Sequence, residues 1–265
     1  MAVTDARGSK PGDFNHTPKR IVSVVPSQTE LLFHLGLNDE VIGITKFCVH
    51  PEEWFRSKTR VGGTKTLNLE KIRKLQPDLI LANKEENERD QVEALASEFP
   101  VWVTDVTNLD AALQMIAAIG MLTGKTEAAT LLKNTIAQRF EALAQEIPVM
   151  PLQACYLIWK DPYLAVGGDT FIHNMLLHAG FKNIFDEEKR YPTITIKMLE
   201  KQRCDVLLLS SEPYPFAGKH IRELQPQLPG TKIILVDGEM FSWYGSRLQR
   251  APDYFKQLQQ QLQQP

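Results

Sequence analysis

Cysteine is scarce in this chain, and its arrangement excludes two common uses. Only Cys48, Cys155 and Cys204 occur in 265 residues, none in a C-x-x-C pair. Three such thiols supply neither a disulfide framework nor a zinc motif. Cys155 and Cys204 sit in apolar runs, where a free thiol acts as a small buried hydrophobe. An excess of charge of one sign is also lacking. Thirty Lys and Arg face 32 Asp and Glu, for a net charge of −2, and no basic run occurs. That excludes a nucleic-acid arm and a global positive field. No stretch reaches the ~18 consecutive apolar residues of a membrane span, so no membrane insertion is expected. The first twenty residues, "MAVTDARGSKPGDFNHTPKR", lack the apolar segment of a secretory signal. The chain as given is therefore expected in the cytoplasm, with the periplasm or cell surface as the alternative for a trimmed chain.

Catalytic signatures are missing too. There is no G-x-G-x-x-G after a strand, no P-loop, no H-E-x-x-H and no G-x-S-x-G elbow. The reading is a binding protein rather than an enzyme, with no intrinsic cofactor. "VGGDTF" at 166–171 reads as a tight turn into a helix, with Asp169 or Thr170 as its cap.

What is present is alternation. Ile21 to Val25 is a short β-branched run, and a helix is expected to start at Thr29-Glu30 and stop at Gly36. "EVIGITKF", "PDLILAN" and "PVWVTDV" read as strands, separated by helices at "NLEKIRKLQ", with Asn68 as its cap, and "RDQVEALASEF". From Asn108 to Ile147 the pattern turns wholly helical, with one long helix running from Thr126 to the stop at Pro148. Strands resume at "QACYLIW", "DVLLLS" and "KIILVDG", with a helix at "TFIHNMLLHAG". The fold class is α/β. Two Rossmann-like lobes with parallel sheets, residues 18–123 and 151–262, are joined by a long helix within 124–150. "PDLILANKE" at 77–85 aligns with "CDVLLLSSE" at 204–212 without a gap, which suggests pseudo-symmetric lobes with a ligand cleft between them.

Residues that follow strand ends are rich in aromatics and poor in proton-transfer groups. Phe47, Cys48, His50 and Glu86 fall there in the first lobe, and Trp159, Tyr163, Phe241, Trp243, Tyr244 and Arg247 in the second. Such a set describes a broad binding wall. Trp159 fits a core position equally, His50 a turn, and Arg247 a surface ion pair. Trp243 and Tyr244 are adjacent, so from a strand they could not both face one interior. Cys48 and His50, two residues apart, are donors that could offer one axial ligand to a metal already chelated.

Three stretches together resemble the helical-backbone metal receptors, the class III periplasmic substrate-binding proteins of ABC importers. They are "PKRIVSVVPSQTELLFHLGLNDEVIGIT", "VGGTKTLNLEKIRKLQPDLILA" and "GGDTFIHNMLLHAGFKNIF". The likeness covers roughly residues 18–255 and is strongest to the cobalamin-binding receptors of that class. It implies two lobes on a stiff helix and a flat metal chelate as ligand, cobalamin or another corrinoid first. A ferric siderophore or haem is the alternative, and a cytosolic corrinoid-handling enzyme or chaperone is a rival on the same scaffold. The resemblance implies an aromatic wall at Phe47, with Thr64 and Asn83 where relatives carry wall tryptophans. It implies a monomer whose partner is an ABC permease, docked through Glu70 and a second acid. That second position falls on Lys197, with Glu200 as the nearby substitute.

Overall fold

The computed structural model describes residues 4–14, 16–147 and 150–263. Contacts divide the chain into two units. The first holds Met1–Val106, Asp110–Ala137 and Trp243–Gln249; the second holds Thr107–Leu109, Gln138–Ser242 and Arg250–Pro265. Trp243–Gln249, expected in the C-terminal lobe, groups with the first unit.

In the first unit the chain runs β1 (Ile21–Ser23), α1 (Pro26–His34), β2 (Val41–Ile44), α2 (Glu52–Ser57), β3 (Thr59–Arg60), α3 (Leu69–Leu75), β4 (Leu79–Asn83), α4 (Arg89–Ala96) and β5 (Val101–Thr104). These strands form a parallel sheet in the order β3-β2-β1-β4-β5. Helix α1 starts at Pro26, three residues before the expected Thr29, because proline at the first helical position gives up an N–H that has no intrahelical partner there. Asn68 caps α3 as expected, its Oδ1 accepting the Lys71 N–H at 2.9 Å. The outer edge of β5 is covered by the N-terminal segment. Ala6 donates to the Val103 carbonyl at 2.7 Å, and the Val103 N–H donates to Asp5 Oδ2 at 3.0 Å. Pairing that edge removes a template for aggregation.

Helix α5 (Leu109–Leu122) is followed by α6 (Thr126–Ala144), which starts in the first unit and ends in the second. Pro148, the expected stop, lies outside the described residues. The helix is already over at Ala144, where Gln145 and Glu146 turn back to the carbonyls of Ala142 and Leu143.

The second unit holds β6 (Leu152–Trp159), β7 (Tyr163–Ala165), α7 (Phe171–His178), β8 (Phe181–Asn183), β9 (Thr193–Ile194), α8 (Ile196–Lys201), β10 (Val206–Ser210), α9 (Gly218–Leu224), β11 (Lys232–Val236), α10 (Glu239–Ser242) and α11 (Ala251–Gln263). Its core is parallel, β11-β10-β6 with β8 also on β6, while β7 and β9 extend it antiparallel. Thr170 caps α7, its Oγ1 accepting the His173 N–H at 3.1 Å, which is the turn reading of "VGGDTF".

The two sheets are built on one plan. The residue before β4 is Asp78, whose carboxylate accepts the N–H groups of Lys19 and Arg20 at 2.8 Å, just ahead of β1. The residue before β10 is Asp205, whose Oδ2 accepts the Gln153 N–H of β6 at 2.8 Å. Both central strands, β4 and β10, are buried along their full length, as parallel strands covered on two faces must be. At the far end Asn83 Oδ1 accepts from the Glu85 and Glu86 N–H groups, and Ser210 Oγ from the Glu212 N–H. The 77–85 and 204–212 match is therefore carried by hydrogen bonding as well as by apolar text. The first core includes Val22, Ile72, Ile80 and Val103, and the second Leu157, Leu199, Leu207 and Leu209.

Candidate functional site

The carboxyl ends of parallel strands are where open α/β sheets bind ligands, because loops there can diverge around a crevice. In the first unit that end carries the loops after β2 and β4, the start of α1, and the segment Trp243–Gln249. The loop after β2 turns sharply. Thr45 is buried, Phe47 is 50% exposed, and Cys48 is fully buried. Alternation of direction explains this: the turn aims Phe47 and Val49 outward and Cys48, between them, toward Thr29 of α1. Cys48 Sγ lies 3.1 Å from both Thr29 Oγ1 and Thr45 Oγ1. Burial pushes its thiol up to about 11, so it stays protonated at neutral pH. Neither a thiolate nor an open face is offered, and the expectation that Cys48 supplies an axial metal ligand is withdrawn. Among the described residues no three His, Cys, Asp or Glu side chains gather as a metal site.

His50 meets the edge of Trp243, with ring centroids 5.5 Å apart. Trp243 in turn lies under the guanidinium of Arg247 at 4.8 Å from its ring centre. Arg247 is fixed by Glu30 of α1, with Nη2 to Oε1 at 2.6 Å and Nε to Oε2 at 3.1 Å. Tyr244 donates its hydroxyl to Glu86 Oε1 at 2.8 Å. Burial, then the nearby Glu86 charge, holds the Tyr244 phenol well above its ordinary range. Trp243 and Tyr244 are both buried, which the alternation of a strand would not allow. The reason is conformational: Trp243 follows α10, not a strand, so the period-two rule does not apply. The segment also lies tight on α1. A Cβ on Gly245 would fall 2.6 Å from the Ser27 carbonyl oxygen, so glycine lets the backbone approach.

Charge at this end is largely matched. Lys84 pairs with Asp105 at 2.6 Å, Lys65 with Glu88 at 3.3 Å, and Arg247 with Glu30. Asn83 is buried and spends its amide on the β4–α4 loop and on Thr104, so it cannot stand in for a wall ring.

In the second unit Trp159 ends β6 and is 40% exposed, its ring 5.7 Å from Tyr214 in an edge-to-face pair. Tyr163 is partly buried against the core. Phe241, expected to wall the ligand, is wholly buried among Tyr156, Tyr254 and Phe255. It belongs to the core because α10 packs there and leaves no face of its ring for a guest. Tyr214, which follows the end of β10, meets Trp159 and in turn His220, with the latter centroids 5.5 Å apart. Glu30 was missed because its partner is 217 residues away.

Glu70 is exposed in the first turn of α3 and pairs with Arg73 at 2.9 Å; Arg73 also grips Glu98 at 2.8 Å. Glu200 is exposed on α8, and Lys197 is exposed near it. Two cavities, of about 340 and 300 Å³, lie away from these residues. One is lined by Arg7, Phe14, His16, Asp78 and Phe99, the other by Lys182, Asn183 and Asp186 to Glu188.

A family model described as periplasmic binding protein matches residues 21–226. The chain belongs to this family. It is 26% identical over 237 residues to a "Vitamin B12-binding protein" of Pectobacterium carotovorum subsp. carotovorum (strain PC1), covering 87% of this chain and 84% of that protein. Among solved structures it is similar to the periplasmic vitamin B12 binding protein BtuF of Vibrio cholerae, with a TM-score of 0.82 and 22% identity over 94% of this chain and 99% of that one. It is also similar to the periplasmic heme-binding protein RhuT from Roseiflexus sp. RS-1, with a TM-score of 0.79 and 22% identity over 92% and 97%. Both neighbours share the two-lobed α/β fold. A family of periplasmic binding proteins gives no support to the expected cytoplasmic location. Among the described residues no helix is long and apolar enough to cross a membrane.

Proposed function

We propose that this chain captures a corrinoid, cobalamin first, without covalent chemistry, and delivers it to an ABC permease from outside the cytoplasmic membrane. The observation that carries the reading is a pair of exposed rings at sheet carboxyl ends: Phe47 in the first unit and Trp159 in the second. Large flat ligands are held well by such rings, which bury much apolar area and lose few rotatable bonds. The likeness to vitamin B12-binding proteins across both units supports the choice of ligand. Lys65, Lys84 and Arg247 are ion-paired and Lys46 lies over the Phe47 ring, so among the described residues the face shows no concentration of unpaired cations of the kind that would favour a strongly anionic siderophore. Trp243, Tyr244, Arg247, Glu86 and His50 act as support for the loop that carries Phe47. Tyr163 backs the second unit's loops. Glu70 and Glu200 are the acids offered to basic residues of the permease, and Glu70 must leave Arg73 to do so.

Isothermal titration with cyanocobalamin and, separately, haemin tests the ligand. Saturable binding of cyanocobalamin at one equivalent supports the reading. Binding of haemin alone replaces it with a haem receptor, and binding of neither removes it.

A further inference from the structure

In the second unit an unassigned group of side chains stands beside Trp159. His220, in the first turn of α9, is buried. The Ala217 N–H donates to its Nδ1 at 2.9 Å. An Nδ1 that accepts leaves the ring proton on Nε2. Nε2 lies 3.3 Å from the Tyr214 hydroxyl. The ring proton can then only be donated to that oxygen. A phenol has one proton of its own, so Tyr214 keeps it free for another acceptor. Tyr214 is partly exposed; its ring packs on Phe216 at 4.7 Å and edge-on to Trp159 at 5.7 Å. Phe216 and His220 close the other side, with centroids 5.3 Å apart. The Tyr214 ring is thus held by three neighbours and its hydroxyl polarity is set by a fourth bond.

We infer that Tyr214 is a ligand-contacting hydrogen-bond donor, and that His220 is the positioning residue that turns its hydroxyl proton toward a carbonyl of the bound ligand. The inference rests on the corrinoid reading. Corrinoids carry a fringe of carboxamide side chains whose carbonyl oxygens suit a phenol donor. Trp159 supplies the neighbouring apolar contact. The charged and titratable groups around His220 are Lys160 from the β6–β7 turn, Tyr214, and Lys219 and Glu223 from α9. Lys160 and Glu223 bond to each other at 2.7 Å. Burial, then Lys160 and Lys219, lowers the His220 pKa from its ordinary value. Protonation of Nδ1 would break the bond from Ala217 and release the ring. The device is therefore intact at neutral pH and fails only below the ordinary histidine range.

The test uses the full chain and cyanocobalamin at pH 7.5 and across an acid series. Tyr214→Phe keeps the ring and removes the donor. His220→Asn keeps an acceptor for the Ala217 N–H but cannot reach Tyr214. Each is expected to weaken binding about fivefold to tenfold, the worth of one hydrogen bond. The double variant should bind no worse than the weaker single one. Wild-type affinity should fall at acid pH, and Tyr214→Phe should lose that dependence. Unchanged affinity in Tyr214→Phe, with the wild type binding, overturns the donor role alone. Weak Tyr214→Phe beside an unaffected His220→Asn, or a pH limb that survives in Tyr214→Phe, overturns the positioning role. A wild type that does not bind cyanocobalamin overturns the corrinoid reading and this inference with it.

Discussion

Removing either member of the Arg247–Glu30 pair should loosen the segment Trp243–Gln249 from the first unit. Side-chain exposure is 7% for Arg247 and 17% for Glu30, and two hydrogen bonds align the groups. Losing one partner of a buried pair costs about 3–5 kcal/mol, because the other charge stays buried and unpaired. Glu30 retains some water contact, so about 3 kcal/mol is the figure for Arg247→Met through the pair alone. The lost contact with Trp243 adds about 0.5–1 kcal/mol. Glu30→Leu should cost about 3 kcal/mol, since Arg247 keeps the Trp243 face. At about 2–4 °C per kcal/mol for a chain of this size, the Glu30 variant should melt about 6–12 °C lower and Arg247→Met about 7–16 °C lower. The double variant Glu30→Leu/Arg247→Met removes both charges and should lie within about 1 kcal/mol of wild type. Urea unfolding of all four proteins gives the coupling energy directly. A coupling of about 2 kcal/mol or more, little changed in 1 M salt, is expected for a pair shielded from solvent. Single variants within about 0.5 kcal/mol of wild type, or strictly additive costs, would refute the reasoning.

Four further outcomes follow from the geometry. All three thiols are buried, so a thiol reagent at pH 8 should find none in the folded protein and three after denaturation. For Cys48 the folded value near 11 exceeds the ordinary value near 9. Its contribution is therefore complete below pH 9 and is lost as pH rises toward 11, by up to about 3 kcal/mol. Cys48→Ala should flatten that alkaline decline in pH-dependent melting; an equally steep decline would contradict it. Gly245→Val places a side chain against the Ser27 carbonyl and Leu31, and should cost about 1–3 kcal/mol in urea unfolding; a neutral result would mean the segment can lift off α1 freely. Asp78→Ala removes the acceptor of two N–H groups just ahead of β1, and Asp205→Ala the acceptor of one in β6, so at about 0.5–1.5 kcal/mol per bond the first should cost about twice the second. A neutral result in either variant would argue against one shared plan for the two sheets.

Much of the fold could be read from the chain because its central strands are covered on both faces. "DLILAN" and "DVLLLS" are uninterrupted apolar runs for that reason, and Asn68 and Thr170 mark helix starts by their side-chain acceptors. Strands β3 and β7 to β9, of two or three residues, are too short to show a period. The site was less legible because its chemistry is set by contacts distant in sequence. Nothing near Arg247 names Glu30, and nothing near Tyr244 names Glu86. Phe241 and Trp243 look alike in text, yet helix α10 sends Phe241 into the second unit's core while Trp243 belongs to the first unit. Cys48 looked like a donor because its two threonine partners come from α1 and from the end of β2.

Equilibrium dialysis of radiolabelled cyanocobalamin against wild type, Phe47→Ala and Trp159→Ala tests the central claim most directly. Saturable wild-type binding that weakens by at least about tenfold in each variant is the expected result, each ring being worth about 1.5 kcal/mol or more. Binding that is absent in wild type, or unaltered in either variant, would contradict it.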